Sequence, residues 1–248
     1  MPTCERSPPV PIWCIVKHGA DLMVQFKEIH AAHNVAEGDR TTSPSRLTLT
    51  TKRTIDIFGS AILLITTLPL LMLVSVLVAL DGGPILFRHA RVGRNGRYFY
   101  CLKFRTMMVG AEPCLKEYLE HHPQAKARWQ SDHKLDFDPR ITPIGQFLRS
   151  SSLDELPQLF NILRGDMSLV GPRPITNEEL SRYGAAIEHY LAVRPGLTGP
   201  WQISGRNEVA YSERVALDRN YVRKLSIIED ILILLRTPSA VFSRRGAK

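Results

Sequence analysis

The stretch Ile57–Leu80, IFGSAILLITTLPLLMLVSVLVAL, contains no charged residue. In an α-helix, which rises 1.5 Å per residue, this run would extend roughly 36 Å, enough to cross the hydrocarbon core of a bilayer. The run therefore predicts either a membrane helix or an unusually buried helix of a soluble protein.

Two features of this run bear on how it meets a membrane. Pro69 lies in its middle, where the loss of a backbone hydrogen bond would kink a helix. Basic residues flank the run on both sides: Lys52 and Arg53 precede it, and Arg88, Arg91, Arg94 and Arg97 follow it. Since basic residues favour the cytoplasmic side, both ends are expected there. The pattern favours a re-entrant helix broken near Pro69, with a spanning helix and a soluble core helix as alternatives.

The chain divides into three predicted parts around this run. Residues 1–51 are rich in Pro, Ser and Thr without periodicity, which predicts a polar, mobile N-terminal extension. They lack the basic start and immediate apolar run of a secretory signal, so export is not expected. Residues 52–83 form the re-entrant helix, and residues 84–248 form a cytosolic domain with a membrane-associated C-terminal helix.

The domain after the apolar run is predicted to be α+β, predominantly helical with a β-hairpin. Pro84–Phe87 and Arg97–Phe104 are rich in strand-forming residues, and Asn95-Gly96 between them is a strong hairpin turn signal. Near the end, Ile227 to Arg236 alternates apolar and charged residues as an amphipathic helix does. That helix lies either on a membrane surface or against the core.

Composition limits the classes of partner. The chain has 248 residues, 44% of them hydrophobic, with a formal net charge of +8. Such a charge favours a phosphate-rich partner, whether nucleotide, anionic lipid or nucleic acid. No nucleic-acid-binding motif is present, and the apolar run also argues against nucleic acid. The four cysteines do not have the spacing of a zinc site.

The segment SSSLDELPQLFN, residues 150–161, carries the most chemical information. Asp154 and Glu155 precede Pro157, which suits the first turn of a helix, so the pair would lie outside that helix's positive end. Two such carboxylates would stay ionised and could bind a cation or attack phosphorus. The alternative is a capping box formed by Ser152 and Glu155, although Pro157 would then fall inside the helix.

Basic residues around this segment suit phosphate binding. Arg173 is fixed between two prolines, and a rigid guanidinium matches a pair of phosphate oxygens. Lys103 and Arg105 alternate along a strand and should point the same way, as should Arg149 from a preceding helix. Arg206 belongs to a Gly/Pro-shaped loop that follows Trp201. Solvated surface charge is the ordinary alternative for each of these residues. Trp201 could be an interfacial anchor, a base-stacking surface or part of the core.

These motifs together resemble the bacterial sugar transferases, the monotopic phosphoglycosyl transferases that act on polyprenyl phosphate. The resemblance covers about residues 52–247. It is carried by Lys52-Arg53 with Asp56, Pro84–Gly93, Lys103–Met107, Asp138–Thr142, Leu153–Leu159, Gly165–Pro174 and Arg194–Asn207. Two departures are His89, where many members have glutamine, and the first fifty residues, which have no counterpart in the family.

The resemblance implies a catalytic domain held at the cytoplasmic face of the bacterial inner membrane by the re-entrant helix and by interfacial amphipathic helices. It implies that Asp154 attacks the β-phosphorus of a UDP-sugar, releases UMP, and passes the sugar phosphate to polyprenyl phosphate for exopolysaccharide or other surface glycan synthesis. Mg²⁺ is expected at Asp154 and Glu155, where it would offset repulsion between carboxylate and diphosphate. The expected substrate-binding residues are Lys103, Arg105, Arg149, Arg173 and Arg206.

A hypothesis of another class is a non-catalytic membrane scaffold that binds anionic lipid. Substitution of Asp154 distinguishes the two, because a scaffold tolerates the loss of a nucleophile. The sequence does not identify the sugar, and it leaves the oligomeric state open, a homo-oligomer included.

Overall fold

The computed structural model describes residues 45–132, 135, 137–205 and 209–243. The helices are α1 (Arg46–Ala79), α2 (Ala111–His121), α3 (Pro123–Asp132), α4 (Pro143–Ser151), α5 (Gln158–Arg164), α6 (Leu180–Tyr183), α7 (Ile187–Ala192), α8 (Pro200–Ile203), α9 (Tyr211–Arg223) and α10 (Ile227–Phe242). The strands are β1 (Leu86–Val92), β2 (Tyr98–Phe104), β3 (Ser168–Val170) and β4 (Gly196–Thr198). Helices predominate, which confirms the predicted fold class.

The predicted hairpin is formed by β1 and β2, which pair antiparallel from Leu86 opposite Phe104 to Val92 opposite Tyr98. Its turn contains Asn95 at φ 57° and Gly96 at φ 73°, the left-handed conformation that these two residue types adopt most readily. The prediction of a turn at Asn95-Gly96 is confirmed. The first strand lies further along the chain than the predicted Pro84–Phe87.

Strands β3 and β4 form a second, parallel pair. The chain segments around them approach backbone to backbone. A Cβ atom on Gly196 would lie 2.1 Å from the amide nitrogen of Gly171, and one on Gly199 would lie 2.1 Å from the Gly171 carbonyl oxygen. Neither distance is sterically possible, so these positions require glycine.

Helix α1 differs from its predicted bounds. It begins at Arg46, where the Ser45 side chain caps it by accepting a hydrogen bond from the Thr48 amide, and not at residue 52. It ends at Ala79, before the predicted residue 83. The predicted break near Pro69 does not end the helix, which continues through that residue, and the re-entrant path stays a prediction. A proline removes a single backbone hydrogen bond, which can bend a helix without ending it. The rest of the predicted 1–51 extension, residues 1–44, lies outside the described residues.

One narrow stripe of α1 packs against the domain while the remainder is exposed and apolar. The stripe contains Lys52, Asp56, Ser60, Leu71, Val74 and Val78. The exposed side chains include Ile57, Phe58, Ile62, Leu63, Ile65, Leu68, Met72, Leu73, Val76 and Leu77. The helix is long and apolar enough to cross a membrane. So large a bare apolar face is typical of a surface that contacts lipid or another apolar partner.

The start of α1 is joined to the domain by buried polar contacts. Lys52 Nζ lies 2.6 Å from Asp230 Oδ2, and both side chains are more than nine-tenths buried. Asp56 Oδ1 accepts hydrogen bonds from the Ser168 hydroxyl at 2.9 Å and the Leu169 amide at 2.8 Å. Arg53 donates to the Ile162 carbonyl at the end of α5.

The far end of α1 is joined to the same domain. Arg105 Nη2 donates to the Val78 carbonyl at 2.9 Å and forms an ion pair with Asp81. Between the two ends, Leu71, Val74 and Val78 pack with Phe104 and Leu148. Both ends of α1 therefore contact one domain.

Helix α10 packs against the core, which is one of the two alternatives that its sequence left open. Asp230 and Ile233 are buried against the core. Its exposed apolar residues are Ile228, Ile231, Leu232 and Leu235. The helix packs on the domain and presents a second bare apolar face; its position at a membrane surface stays a prediction.

We expect Asp230→Asn to lower the free energy of unfolding by about 3 kcal/mol, because it leaves the Lys52 ammonium buried without its counter-charge. Glu229→Gln, on the neighbouring and partly exposed residue, should change it by less than about 0.5 kcal/mol. Thermal or denaturant unfolding in detergent measures both. Equal stability of the two variants would show that the ion pair does not hold α1 in place.

Candidate active site

The acidic pair lies in a short connection between two helices. Helix α4 ends at Ser151, the φ of 57° at its C-cap Ser152 turns the chain, and Leu153–Glu155 form a single 3-10 turn. Helix α5 then begins at Gln158 with Pro157 at its N-cap, so the predicted position of the pair ahead of a helix is confirmed. Ser152 makes no side-chain capping bond at this turn, which removes the capping-box alternative. Helix α5 has only seven residues, so its dipole stabilises the two carboxylates weakly. Nearby side-chain charges must therefore supply most of their stabilisation.

The Asp154 side chain is 12% exposed. Burial first, and the charge of Glu155 second, raise its pKa to about 6, while Lys103 and Arg149 act in the opposite direction. At neutral pH the group is mostly ionised but poorly hydrated. A carboxylate in that state is a better nucleophile than a fully solvated one.

Three of the predicted basic residues surround the pair. Lys103 Nζ lies 2.6 Å from Glu155 Oε1 and 3.8 Å from Asp154 Oδ2. Arg173 Nη1 lies 4.0 Å from Glu155 Oε1. Arg149 donates to the Thr106 hydroxyl at 2.9 Å, and the charge of Asp154 acts on its pKa, which burial lowers. The structure thus brings Lys103, Arg149 and Arg173 to one place.

The structure does not bring Arg105 to this cluster. The prediction assumed that Lys103 and Arg105 lie in one strand and point to the same face. Strand β2 ends at Phe104, so the alternation of side-chain directions does not extend to Arg105. The Arg105 guanidinium instead binds Val78 and Asp81 at the end of α1. Arg206, the remaining predicted residue, lies outside the described residues.

A narrow cavity of about 20 Å³ opens beside Glu155. It is lined by Arg91, Cys101, Lys103, Glu155, Gln158, Arg173, Pro174, Gly196, Leu197 and Gln202. One side is cationic, and the other consists of amides, apolar side chains and backbone. Burial raises the pKa of Cys101 to about 11, so its thiol is neutral and is not a nucleophile.

Arg91 is a residue of this cavity that the sequence reasoning did not select. The hairpin register contained the signal: Phe87 pairs with Lys103 and Arg91 with Phe99, which puts Arg91 and Lys103 on one face. Burial first, and then the charge of Arg173, lower the pKa of Arg91. Two guanidiniums therefore share one wall of the cavity.

Glu179 holds the arginines of that wall in place. Its carboxylate lies 3.4 Å from Arg91 Nη1 and 3.3 Å from Arg214 Nη1, and it accepts a 2.9 Å hydrogen bond from the Thr176 amide. The Trp201 ring lies 5.0 Å from Arg173 Cζ and 5.1 Å from Arg214 Cζ. Trp201 is 7% exposed, so the core interpretation holds for it, with two cations stacked on its ring.

Comparison with known proteins decides the family. The family model described as bacterial sugar transferase matches residues 47–244. The chain belongs to this family. Among its relatives, an undecaprenyl-phosphate galactose phosphotransferase of Salmonella typhimurium is 51% identical over 196 residues, which cover 79% of this chain and 41% of the relative.

Two further relatives have similar identity. A UDP-galactose-lipid carrier transferase of Erwinia amylovora is 50% identical over 196 residues, 79% of this chain and 41% of the relative. The exopolysaccharide production protein ExoY of Sinorhizobium fredii is 50% identical over 197 residues, 79% of this chain and 87% of the relative. This sugar transferase chain therefore spans about four-tenths of the length of the first two relatives and most of the third.

The carboxylate oxygens of Asp154 and Glu155 are suitable ligands for Mg²⁺ in this sugar transferase. Among the described residues there is no group of three or more His, Cys, Asp or Glu side chains that could hold a metal ion by itself. Asp154 and Glu155 offer two neighbouring carboxylates, and Mg²⁺ in phosphate enzymes commonly takes one or two carboxylates together with substrate oxygens. The raised pKa of Asp154 reflects in part the repulsion from Glu155 that a cation would relieve. The pair fits a magnesium ion shared with a phosphate ligand.

We expect the Asp154 carboxyl to titrate near pH 6 in the free protein. Lys103→Met should raise that midpoint, because it removes a positive charge 3.8 Å away, and Glu155→Gln should lower it, because it removes a negative one. Carboxyl ¹³C NMR of aspartate-labelled protein in detergent measures both shifts.

Asp138 is the internal reference for that titration. Burial acts to raise its pKa, but the hydrogen bonds from Arg140 lower it below the ordinary range. An Asp154 midpoint as low as that of Asp138, or unmoved in both variants, would contradict the electrostatic coupling described for the pair.

Proposed function

We propose that this protein transfers a hexose 1-phosphate from a UDP-sugar to polyprenyl phosphate, with undecaprenyl phosphate as the acceptor, and so initiates exopolysaccharide or other surface glycan synthesis. The observation that carries the proposal is the pair of buried Asp154 and partly buried Glu155, with Lys103 near both carboxylates and Arg173 near Glu155, beside a cavity with cationic lining residues. The names of the relatives support the acceptor, the donor class and the pathway.

In the first half-reaction, a carboxylate oxygen of Asp154 attacks the β-phosphorus of the donor. The new oxygen–phosphorus bond forms as the bond from that phosphorus to the bridging oxygen breaks, and UMP leaves with the electron pair. The enzyme then carries an aspartyl phosphosugar. The partial burial of Asp154 supports this role, since water is kept from the attacking group and from the reactive acyl phosphate.

In the second half-reaction, an oxygen of polyprenyl phosphate attacks the same phosphorus. The aspartyl oxygen leaves, which regenerates the Asp154 carboxylate and gives polyprenyl diphosphate sugar. One phosphoanhydride is broken and one is formed overall, so no external energy source is needed. The free-protein contact of Lys103 with Glu155 leaves the Asp154 carboxylate as the more weakly paired of the two.

The basic residues offset the charge of two anions that approach each other. Lys103, Arg173 and Arg91 face the cavity and would bind phosphate oxygens, and Arg149 would steady Asp154. Mg²⁺ bound by Asp154, Glu155 and the diphosphate would supply Lewis-acid stabilisation of the developing negative charge. Glu155 would contribute chiefly by binding this cation and by orienting Lys103.

The membrane arrangement that fits this chemistry is re-entrant, at the cytoplasmic face of the inner membrane. Both ends of α1 contact one domain through charged residues, Lys52 and Asp56 at the start and Asp81 at the far end. A helix that crossed the bilayer would carry one of these charged ends to the opposite side. The bare apolar faces of α1 and α10 would then rest in one leaflet.

Detergent-purified protein with Mg²⁺, polyprenyl phosphate and a panel of UDP-hexoses should release UMP with at least one donor. Asp154→Asn should abolish this release, a loss of at least about a thousandfold, because an amide cannot form the covalent intermediate. EDTA should abolish it too. Glu120→Gln, which removes an exposed carboxylate outside the cavity lining, is the control and should retain activity.

Without acceptor, one UMP should be released per active enzyme, and the peptide that contains Asp154 should gain the mass of a hexose phosphate. Release that persists in Asp154→Asn would refute the nucleophile. Folded protein that releases no UMP with any donor would favour the lipid-binding scaffold.

Glu179→Gln should raise the KM for the donor about tenfold with little change in kcat, because it loosens Arg91 and, through Arg214 and Trp201, Arg173. Glu178→Gln alters the adjacent, exposed carboxylate and should leave both constants unchanged. Steady-state kinetics with UMP detection measure the two constants. A parallel fall in kcat and melting temperature would assign Glu179 a structural role only.

A further inference from the structure

A second cavity lies beside the first turns of α1, between that helix, the hairpin turn, the start of β3 and the residues that follow α7. Its volume is about 10 Å³, room for a single water-sized group. Its lining is Leu49, Lys52, Arg53, Asp56, Arg94, Ser168, Val193 and Arg194. No residue is shared with the cavity beside Glu155. Four of the lining side chains are cationic and one is acidic.

Several of these charges are already satisfied. Lys52 is paired with Asp230, and Asp56 accepts bonds from Ser168 and Leu169. Arg53 donates to the carbonyls of Ile162 and Leu163 at the end of α5. These contacts give Lys52, Arg53 and Asp56 a structural role. The other two cationic residues of the lining are Arg94 and Arg194.

Among the described residues, neither Arg94 nor Arg194 has a carboxylate within ion-pair distance. Arg194 donates one hydrogen bond, at 2.7 Å to the Gly165 carbonyl. The Nε group of Arg94 is buried and has no hydrogen-bond partner. Burial first, and then the charges of Arg53 and Arg94, lower the pKa of Arg194, while Asp56 and Asp166 act in the opposite direction without cancelling the effect. The three guanidiniums therefore repel one another in net terms across the cavity. An anion there would satisfy the unpaired donor and relieve the repulsion.

The position of the cavity indicates where such an anion comes from. Asp56 in its lining is followed directly by Ile57 and Phe58, the first members of the exposed apolar face of α1. Leu163, at the end of α5 beside it, is also exposed. When this face rests in hydrocarbon, the cavity lies at the depth of lipid head groups, where basic pockets next to membrane helices bind them.

We propose that this cavity is a binding site for the phosphate of an anionic membrane lipid, distinct from the site at Asp154. A phosphate oxygen enters between Arg94 and Arg194 and accepts the unpaired Arg94 Nε hydrogen, while the rest of the head group stays at the surface. Burial of its apolar face places α1 in the leaflet. The bound lipid phosphate then fixes the depth and the tilt of the helix more closely.

The test is binding of short-chain phosphatidylglycerol to the full chain in detergent, measured as a saturable rise in melting temperature. Phosphatidylcholine of the same chain length should bind more weakly, since its head group has no net charge. Arg94→Gln should weaken the phosphatidylglycerol interaction about tenfold, the loss expected for a charge-assisted hydrogen bond. The variant should fold, because the buried Arg94 Nε makes no hydrogen bond that the substitution would break.

Arg97→Gln is the matched control. It removes the same charge three positions along the chain, at an exposed residue outside the cavity lining, and should change binding by less than about twofold. Equal weakening by the two variants, or no saturable effect of phosphatidylglycerol, would overturn the proposal. Inorganic phosphate that raises the melting temperature as strongly, through Arg94, would assign the cavity to free phosphate and overturn the lipid assignment.

This readout is independent of catalysis. Arg94→Gln should release UMP at the wild-type rate in detergent, because Arg94 does not line the cavity beside Glu155. A chain without transferase activity would still bind the lipid if the cavity is assigned correctly.

Discussion

The candidate active site depends on the hydrogen bonds between the fully buried side chain of Asn161 and strand β2. Its Oδ1 accepts a hydrogen bond from the Leu102 amide at 3.0 Å, and its Nδ2 donates to the Tyr100 carbonyl at 2.8 Å. Its backbone carbonyl accepts from the amide of Asp166 beyond the end of α5. One residue thus joins α5 to β2. Because Asp154 and Glu155 immediately precede α5 and Lys103 follows Leu102, this join sets the distance between the acidic pair and its lysine.

The same region shows what the sequence could and could not predict. The hairpin and the helix after Pro157 follow from local signals, a turn dipeptide and a proline. The set of Lys103, Arg149 and Arg173 was expected from the resemblance to the family, and the structure brings the three together. Arg105 was misplaced because the end of a strand depends on what it pairs with, and β2 ends one residue too early. The residue at which a strand ends depends on tertiary pairing, which local sequence patterns do not predict.

Arg91 and Glu179 were missed for a related reason. Arg91 was counted only as a flanking positive charge, and its direction becomes readable only through the pairing of β1 with β2. Glu179 matters because it meets Arg91 and Arg214, which are distant from it in sequence and come from different elements. The helix bounds of α1 likewise depended on a capping serine at residue 45, ahead of the apolar run that identified the helix.

The backbone contact of Gly171 with Gly196 and Gly199 limits how this fold can be altered. Gly196 also lines the cavity beside Glu155, so part of that wall is main chain with no room for any side chain. Substitution cannot reshape this surface without separating β3 from β4. Any change in what this cavity accepts, by evolution or by engineering, must therefore be made on the remaining walls, where Gln158, Leu197 and Gln202 present replaceable side chains.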